Sequence, residues 1–308
     1  MKVLVVCSHN SGRISPFIEE QVVSLQKRGI EFDYFMIEGK GFTGYLRNLS
    51  GFHKSILAFK PDLIHAHYGL SGLFANMQRK IPVITTFHGS DVNEKPLRII
   101  SYFAMLLSSH NIFVSNELAE LMPFRRRYSV IACSIDTDLF FPAGKTESRK
   151  KLNIPPDKKI VLFSSSSAFH IKNFPLAQAA TAQLDNVQLV ELDGYSREQV
   201  SYLMNGCDVG LLTSYSEGSP QFIKEAMACN CPVVSTDVGN VRWLIGETDG
   251  CYLTSFEIAD VAAKLRTALQ FSEDQGRNHG RDRILALGLD PGTTSGKIID
   301  VYESSLKI

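Results

Sequence analysis

The sequence predicts an α/β protein built from two Rossmann-like domains that face each other across an interdomain cleft. Three observations lead there. Short apolar runs of strand character alternate with helical stretches, the pattern of parallel βαβ units. That rhythm stops near residue 143 and restarts at residue 159. Between the two series lies FFPAGKTESRKKLNIPPDKK, rich in proline and charge, which suits an exposed linker with a short helix.

The first domain is expected over residues 1–143. KVLVVCS (2–8) is a continuous apolar run, as in a strand covered on both faces. The polar loop HNSGRIS follows. Ser15 is then placed to cap a helix with Pro16 at its first position, acids at 19–20 and Gly29 at its end. EFDYFMIE (31–38), DLIHAH (62–67), PVITTFHG (82–89), NIFVS (111–115) and SVIAC (129–133) read as further strands. After a linker over 144–158, the second domain is expected over 159–294. Its strands are KIVLFSSS (159–166), VQLVELD (187–193), DVGLLTS (208–214), PVVSTD (232–237) and GCYLT (250–254). Helices fall between them at about 175–185, 196–206, 220–229 and 256–270. A C-terminal helix at about 295–308 is free to pack back on the first domain. The two series are not sequence repeats. Open α/β sheets bind ligands beyond the carboxyl ends of their strands, so two facing sheets would hold one ligand between them.

Composition narrows the class. A chain of 308 residues suffices for two domains of about 150, and buries roughly three quarters of its unfolded surface without a disulfide or metal staple. It is 44% hydrophobic and 21% charged, and 32 Lys plus Arg balance 32 Asp plus Glu, so no global basic charge argues for nucleic acid. No apolar run reaches the roughly 18 residues of a membrane span. The start, MKVLVVCSHN, is too short in its apolar part and too strand-like for a signal peptide. Six cysteines lie in apolar or small-residue contexts, and Cys229-x-Cys231 has no second pair at metal-ligand spacing. Reduced thiols in a cytoplasmic protein are expected.

DVGLLTSYSEGSPQFIKEAMACNCPVVSTDVGN (208–240) is the most informative stretch. A strand ends near Ser214, and Ser219 is expected to cap a helix whose first residue is Pro220. The free N–H groups of Gln221 and Phe222 would point into the cleft beside the positive end of the helix dipole. Gln221 and Glu225 share one helix face, with Phe222, Ala226 and Met227 on the buried side, so Glu225 is expected toward the cleft. A carboxylate there can accept two hydrogen bonds from a diol such as ribose, and Glu217 in the loop can do likewise for sugar hydroxyls. Spacing alone leaves a plainer alternative open, a polar loop feeding an ordinary acidic helix.

EGSPQFIKEAMACNCPVVSTDVG (217–239) resembles the E-x7-E region of the family-4 retaining glycosyltransferases, of the bacterial surface-polysaccharide type, whose fold is GT-B. Other parts match in order. LIHAHYGLSG (63–72) and ITTFHGSDV (84–92) are similar to the family's N-domain, IACSIDTDLFFP (131–142) to its segment before the interdomain linker, and LFSSSSAFHIKNFPLAQAA (162–180) to the first strand–loop–helix of its nucleotide-binding domain. The resemblance implies that Glu225 binds the nucleotide ribose. Glu217 and the turn Gly218-Ser219-Pro220-Gln221, through the backbone N–H groups of all but the proline, would hold the donor sugar. Lys172 matches the lysine on the donor diphosphate, His88 the histidine near the reacting sugar, and Gly12 the point where backbone approaches the phosphates. Taken alone, Lys172 also reads as a solvated lysine, His88 as a core histidine, and Asp91 as the cap of the next turn. His65 and His67 read as packing around a strand end, and His170 as a loop residue.

The family commonly has Gly-Gly in its first loop, where this chain has Ser11-Gly12-Arg13. It also often places an arginine before the lysine, where this chain reads SSSSAFH. Lys172, two helix N-termini of roughly +0.5 each and Arg13 can together balance a diphosphate. No cofactor or metal is implied, the nucleoside-diphosphate sugar being the donor substrate. The partners implied are that donor and a glycan or lipid-linked acceptor, in cell-surface polysaccharide synthesis. The stretch 39–61, with Lys40, Arg47, Lys54 and Lys60 among Phe42, Tyr45, Leu46, Phe52, Ile56, Leu57 and Phe59, reads either as a basic amphipathic surface peripheral to the inner membrane face or as an ordinary helix with a core-facing side. Arg125-Arg126-Arg127 is a second basic spot. A GT-B-shaped nucleotide-sugar epimerase and a catalytically silent nucleotide-sugar-binding protein are the rival functions.

Overall fold

The computed structural model describes residues 1–10, 12–123 and 127–307. Ser11, Arg125 and Arg126, and the side chain of Phe42, lie outside the described residues, and so do the expectations placed on them. Two compact units make up the chain, residues 1–134 with 291–308, and residues 135–290.

The first unit runs β1 (Lys2–Ser8), α1 (Pro16–Gln26), β2 (Glu31–Ile37), α2 (Gly41–Leu46), α3 (Leu49–Phe59), β3 (Leu63–His67), α4 (Gly69–Ala75), β4 (Val83–Phe87), α5 (Ser90–Asn93), α6 (Lys95–Leu107), β5 (His110–Phe113), α7 (Asn116–Glu120) and β6 (Tyr128–Val130). The second runs α8 (Lys145–Lys151), β7 (Lys159–Phe163), α9 (Phe174–Thr181), β8 (Val187–Glu191), α10 (Arg197–Gly206), β9 (Val209–Leu212), α11 (Gln221–Ala228), β10 (Val233–Thr236), α12 (Val241–Ile245), β11 (Cys251–Thr254), α13 (Ile258–Asp274) and α14 (Gly280–Ala286). The last helix, α15 (Pro291–Leu306), belongs to the first unit.

Both sheets are parallel, in the orders β2-β1-β3-β4-β5-β6 and β11-β10-β9-β7-β8. Counted from its own first strand, the first reads 2-1-3-4-5-6 and the second, taken from its β8 edge, 2-1-3-4-5. The order therefore reverses between β1 and β3 in one unit and between β7 and β9 in the other. Loops diverge at such a reversal and leave a crevice at the strand ends, where ligands bind.

Full burial of β1, β3 and β4 explains their unbroken apolar runs: Val3, Leu63 and Ile84 pack on one face with Leu25, and Leu4, Ile64 and Val83 on the other with Phe52 and Phe74. Ile298, Val301 and Tyr302 of α15 join the first of these clusters, and Ser24 of α1 and Arg28 just beyond it donate hydrogen bonds to the carbonyl oxygens of Pro291 and Gly292 at 2.8 and 2.7 Å. The apolar positions of 39–61 go largely to the same core: Tyr45 and Phe52 are buried, with Leu49, Ile56 and Phe59 packed against them, and Leu57 is left exposed.

The stretch 144–158 is mostly exposed and carries the short helix α8, as expected, but it is anchored at Ser148 and Arg149. Arg149 of α8 is buried, donating to Asp208 at 2.8 Å and to the carbonyl oxygens of Gly206, Pro155 and Pro156. Asp208 also accepts the N–H of Ile160 at 2.6 Å. A guanidinium with this many acceptors can leave water at little cost. The second unit accordingly begins at Ile135, ahead of the boundary expected at 143.

Candidate functional site

In the second unit, the loops that leave β7 and β9 carry Lys172 and Glu217. A 3-10 turn, His170–Lys172, ends at Asn173, which turns the chain into α9. Thr213 fastens this turn, its hydroxyl lying 3.0 and 3.1 Å from the carbonyl oxygens of Lys172 and Asn173. The N–H of Tyr215 donates to Ile171 O at 2.9 Å. The two loops thus hold each other, and Lys172 Nζ meets Glu217 Oε1 at 2.6 Å. The same oxygen accepts the hydroxyl of Ser214 at 2.7 Å.

The turn into α11 corrects the sequence expectation. Pro220 is the N-cap and the helix begins at Gln221. The hydroxyl of Ser219 accepts from Asn240 Nδ2 at 3.1 Å instead of capping the helix. Asn240 also donates its N–H to Gly218 O at 3.2 Å. Gly239 makes that approach possible, with φ +54 and a position where a Cβ would stand 2.5 Å from Gly218 O.

Glu225 is a second correction. It is 3% exposed rather than turned outward, and its Oε1 accepts from Arg197 Nη1 at 2.5 Å. A buried carboxylate needs such a partner. Arg197 opens α10 after a capping box of Ser196 and Gln199, with its guanidinium 4.7 Å from the ring centroid of Phe140. It follows directly on the loop DGYS (193–196). Glu225 Oε2 takes no hydrogen bond among the described residues, so one lobe of the carboxylate is anchored and the other can accept.

In the first unit, the reversal lies between β1 and β3. Gly12 has φ +77 and donates its N–H to His9 O at 2.9 Å, and Arg13 beside it is exposed. Ser15 is at the N-cap of α1 but makes no side-chain cap; its hydroxyl bonds the phenol of Tyr68. Tyr68 follows β3 with φ 71 and ψ 149, outside the wells open to side-chain-bearing residues. His88 follows β4. Its Nε2 is 3.0 Å from His67 Nδ1, its Nδ1 3.8 Å from Cys133 Sγ, and its ring packs on Tyr68 and Phe17 at 4.7 and 4.8 Å.

His65 and His67 are fully buried. His65 bonds Tyr302 and Thr86 at 2.6 and 2.7 Å. Burial pushes His65 down to about 3 and His67 well below the usual range, so both are neutral. Asp91 clasps the strand ends, accepting the N–H groups of Gly69, His88 and Gly89 at 2.9–3.1 Å. Burial lifts its carboxyl to about 6 against the pull of those bonds. Gly12, Arg13 and His88 thus belong to the first unit, and Lys172, Glu217 to Gln221 and Glu225 to the second. Arg197, Ser214, Asn240 and the strained Tyr68 are contributors that the sequence reading passes over.

Residues 2–139 match the family described as Glycosyltransferase Family 4, and residues 170–270 match Glycosyl transferases group 1. The first unit is thus similar to Glycosyltransferase Family 4 and the second to Glycosyl transferases group 1. It is 28% identical over 219 residues to a glycosyltransferase assigned to teichuronic acid biosynthesis, TuaC of Bacillus subtilis, covering 61% of this chain and 56% of that relative. The chain thus spans little more than half the length of that curated relative. Among solved structures, sucrose-phosphate synthase from Thermosynechococcus elongatus superposes with a TM-score of 0.86 at 16% identity, covering 98% of both chains. Anabaena HepE in complex with UDP-glucose gives 0.75 at 16% identity, covering 99% of this chain and 100% of that one. These likenesses establish the GT-B fold. In this chain the two glutamates of the E-x7-E spacing are Glu217, paired with Lys172, and Glu225, paired with Arg197.

Proposed function

We propose that this protein moves a sugar from a nucleoside-diphosphate donor to a glycan or lipid-linked acceptor, with retention of anomeric configuration and without a metal, at the cytoplasmic membrane face in cell-surface polysaccharide synthesis. The observation that carries the proposal is the cluster of Lys172, Glu217 and Ser214 at the strand-order reversal of the second sheet, next to the N-terminus of α11. An anionic leaving group suits that place, because Lys172 and the first N–H groups of α11 supply positive potential in fixed positions. Glu217 is the acceptor for donor-sugar hydroxyls, and Glu225 Oε2 for a ribose diol. Gly12, Arg13 and His88 are the first unit's candidates for contact with a donor.

As the glycosidic bond breaks, the leaving diphosphate gains charge, which Lys172 and the helix N-terminus stabilise. The acceptor hydroxyl attacks from the face the leaving group vacates, and the departing phosphate takes its proton. No protein nucleophile is required. That HepE is solved with UDP-glucose makes this donor the first to try. Among the described residues, no helix is long and apolar enough to cross a membrane, so a membrane-borne acceptor would be reached from the surface.

Thermal shifts with a panel of nucleoside diphosphates and their sugars test the first step. A ligand at 100 times its dissociation constant adds about 2.7 kcal/mol. Lys172→Ala and Glu225→Ala should each shrink that shift. Donor turnover that requires an acceptor separates transfer from epimerisation and from silent binding. The proposal fails if no nucleotide stabilises the wild-type chain.

A further inference from the structure

The first unit carries an apolar row that stays exposed among the described residues. Ile99, Phe103 and Leu107 are 62, 52 and 40% exposed and stand at four-residue steps on α6, while Ser101, Ala104 and Met105 face the core. Lys95, also exposed, begins the same row. The helix carries Lys95 and Arg98 and no Asp or Glu. At its other end Leu107 lines a cavity of about 380 Å³ with Ile81, Pro82, Leu306, Arg79 and Lys80, and no carboxylate lines it. The cavity lies where β4 and β5 begin, so it occupies the edge of the sheet opposite His88, which follows the end of β4.

We propose that α6 and this cavity form a docking surface for an anionic lipid bilayer. Ile99, Phe103 and Leu107 enter the boundary of headgroups and acyl chains, and Lys95, Arg79 and Lys80 meet lipid phosphates. The charge pattern selects this occupant. An exposed apolar row bounded at both ends by cations matches a surface that is apolar inside and anionic at its rim. The chain as a whole is neutral, so the attraction is local to this edge. The stretch 39–61 offers cations without the apolar face, since its large side chains are spent on the core.

Flotation of the full chain with vesicles tests the surface without reference to sugar transfer. Vesicles of phosphatidylcholine containing phosphatidylglycerol should bind the chain, and phosphatidylcholine alone should bind it weakly. Each cation removed should weaken binding about fivefold, so Arg79→Gln with Lys80→Gln should lose about 25-fold. F103S should lose about tenfold or more. The thermal shift given by a nucleoside diphosphate should survive in both variants, which keeps a failed fold apart from a failed surface. F103W, built with W243F to remove the chain's single tryptophan, should show a blue-shifted indole emission on the anionic vesicles. Equal binding to both vesicle types, unchanged binding by F103S, or an indole that stays in water would overturn the proposal. So would sedimentation showing a wild-type dimer that F103S dissociates, since the row would then be an interface between copies.

Discussion

Replacing Glu217 by glutamine should push two related ligands in opposite directions. In the ligand-free chain Lys172 Nζ is 2.6 Å from Glu217 Oε1, and the side chains are 25 and 14% exposed. A diphosphate that takes Lys172 must therefore compete with Glu217. Unit charges about 4 Å apart at an effective dielectric near 20 attract by about 4 kcal/mol. Solvent screening and desolvation reduce that to a net value on the order of 1–2 kcal/mol for a partly exposed pair. Glutamine keeps the shape, and its oxygen can still accept from Ser214, but the competing charge is gone. A bare nucleoside diphosphate should then bind tighter by about 5- to 30-fold.

A nucleotide sugar receives the same gain and also loses something. Its hydroxyls exchange a carboxylate acceptor for a neutral amide, and hydrogen bonds to charged groups are worth about 1.5–3 kcal/mol against about 1 for neutral ones. The affinity ratio of nucleotide sugar to bare diphosphate should fall several-fold or more in Glu217→Gln. Titration calorimetry with both ligands on both proteins measures the ratio directly. If the two affinities change by one common factor, Glu217 does not hold the sugar. If the bare diphosphate weakens, Glu217 does not compete for Lys172.

Four further outcomes follow from the geometry. Arg197→Ala strands a carboxylate whose side chain is 4% exposed, whereas Glu225→Gln still offers an amide oxygen to a guanidinium that is 34% exposed and also packs on Phe140. The first should cost about 2–3 kcal/mol and the second about 1, by urea unfolding followed through Trp243; equal costs would contradict the burial argument. Asp91 titrates at about 6 in the folded chain against 3.8 ordinarily, so the folded state holds its proton more tightly than the unfolded one. That contribution, about 3 kcal/mol, is present below pH 3.8 and lost as pH rises toward 6, and Asp91→Asn should flatten the slope of stability between those values. Gly239→Ala puts a Cβ against the 217–218 backbone at a positive φ, and should lower stability by about 1–3 kcal/mol while weakening the thermal shift from nucleotides. Tyr302→Phe leaves a buried His65 nitrogen without its partner, and should cost about 1–3 kcal/mol in the first unit with no change in that shift.

Strand periodicity was legible because both sheets are parallel and covered, so each buried strand is an apolar run bounded by polar loops. Helix starts were legible to within one or two residues, except for a four-residue miss at α15, and the misplaced caps share one cause. Ser219 and Ser15 both look like caps from local sequence, yet Asn240 claims one hydroxyl and Tyr68 the other. The buried position of Glu225 depends on Arg197, and the burial of Arg149 on Asp208. Each of these partners lies at least 21 residues away, beyond the reach of helical spacing. Polarity assigns such side chains to water by default. Only the fold supplies the partner that reverses the assignment.

The location of the site has support that does not depend on its motifs. Lys60 and Asn173 have positive φ with ψ of 61 and 50, the left-handed conformation common at helix ends. Tyr68 combines φ 71 with ψ 149, which a tyrosine adopts only when its surroundings impose it. Those surroundings are present. Its N–H donates to Thr86 O at 2.8 Å, its phenol bonds Ser15, and its ring packs on His88. Strain on a residue between β3 and α4, beside the reversal of strand order, has no evident use in packing the core. In the second unit Gly239, which follows β10, lies close against the 217–218 backbone that follows β9, one of the two strands at the corresponding reversal. The strained Tyr68 in one unit and this close approach in the other thus stand near the crevices that the two topologies create, and Gly12, His88, Lys172 and Glu217 belong to the loops and strand ends around these two places.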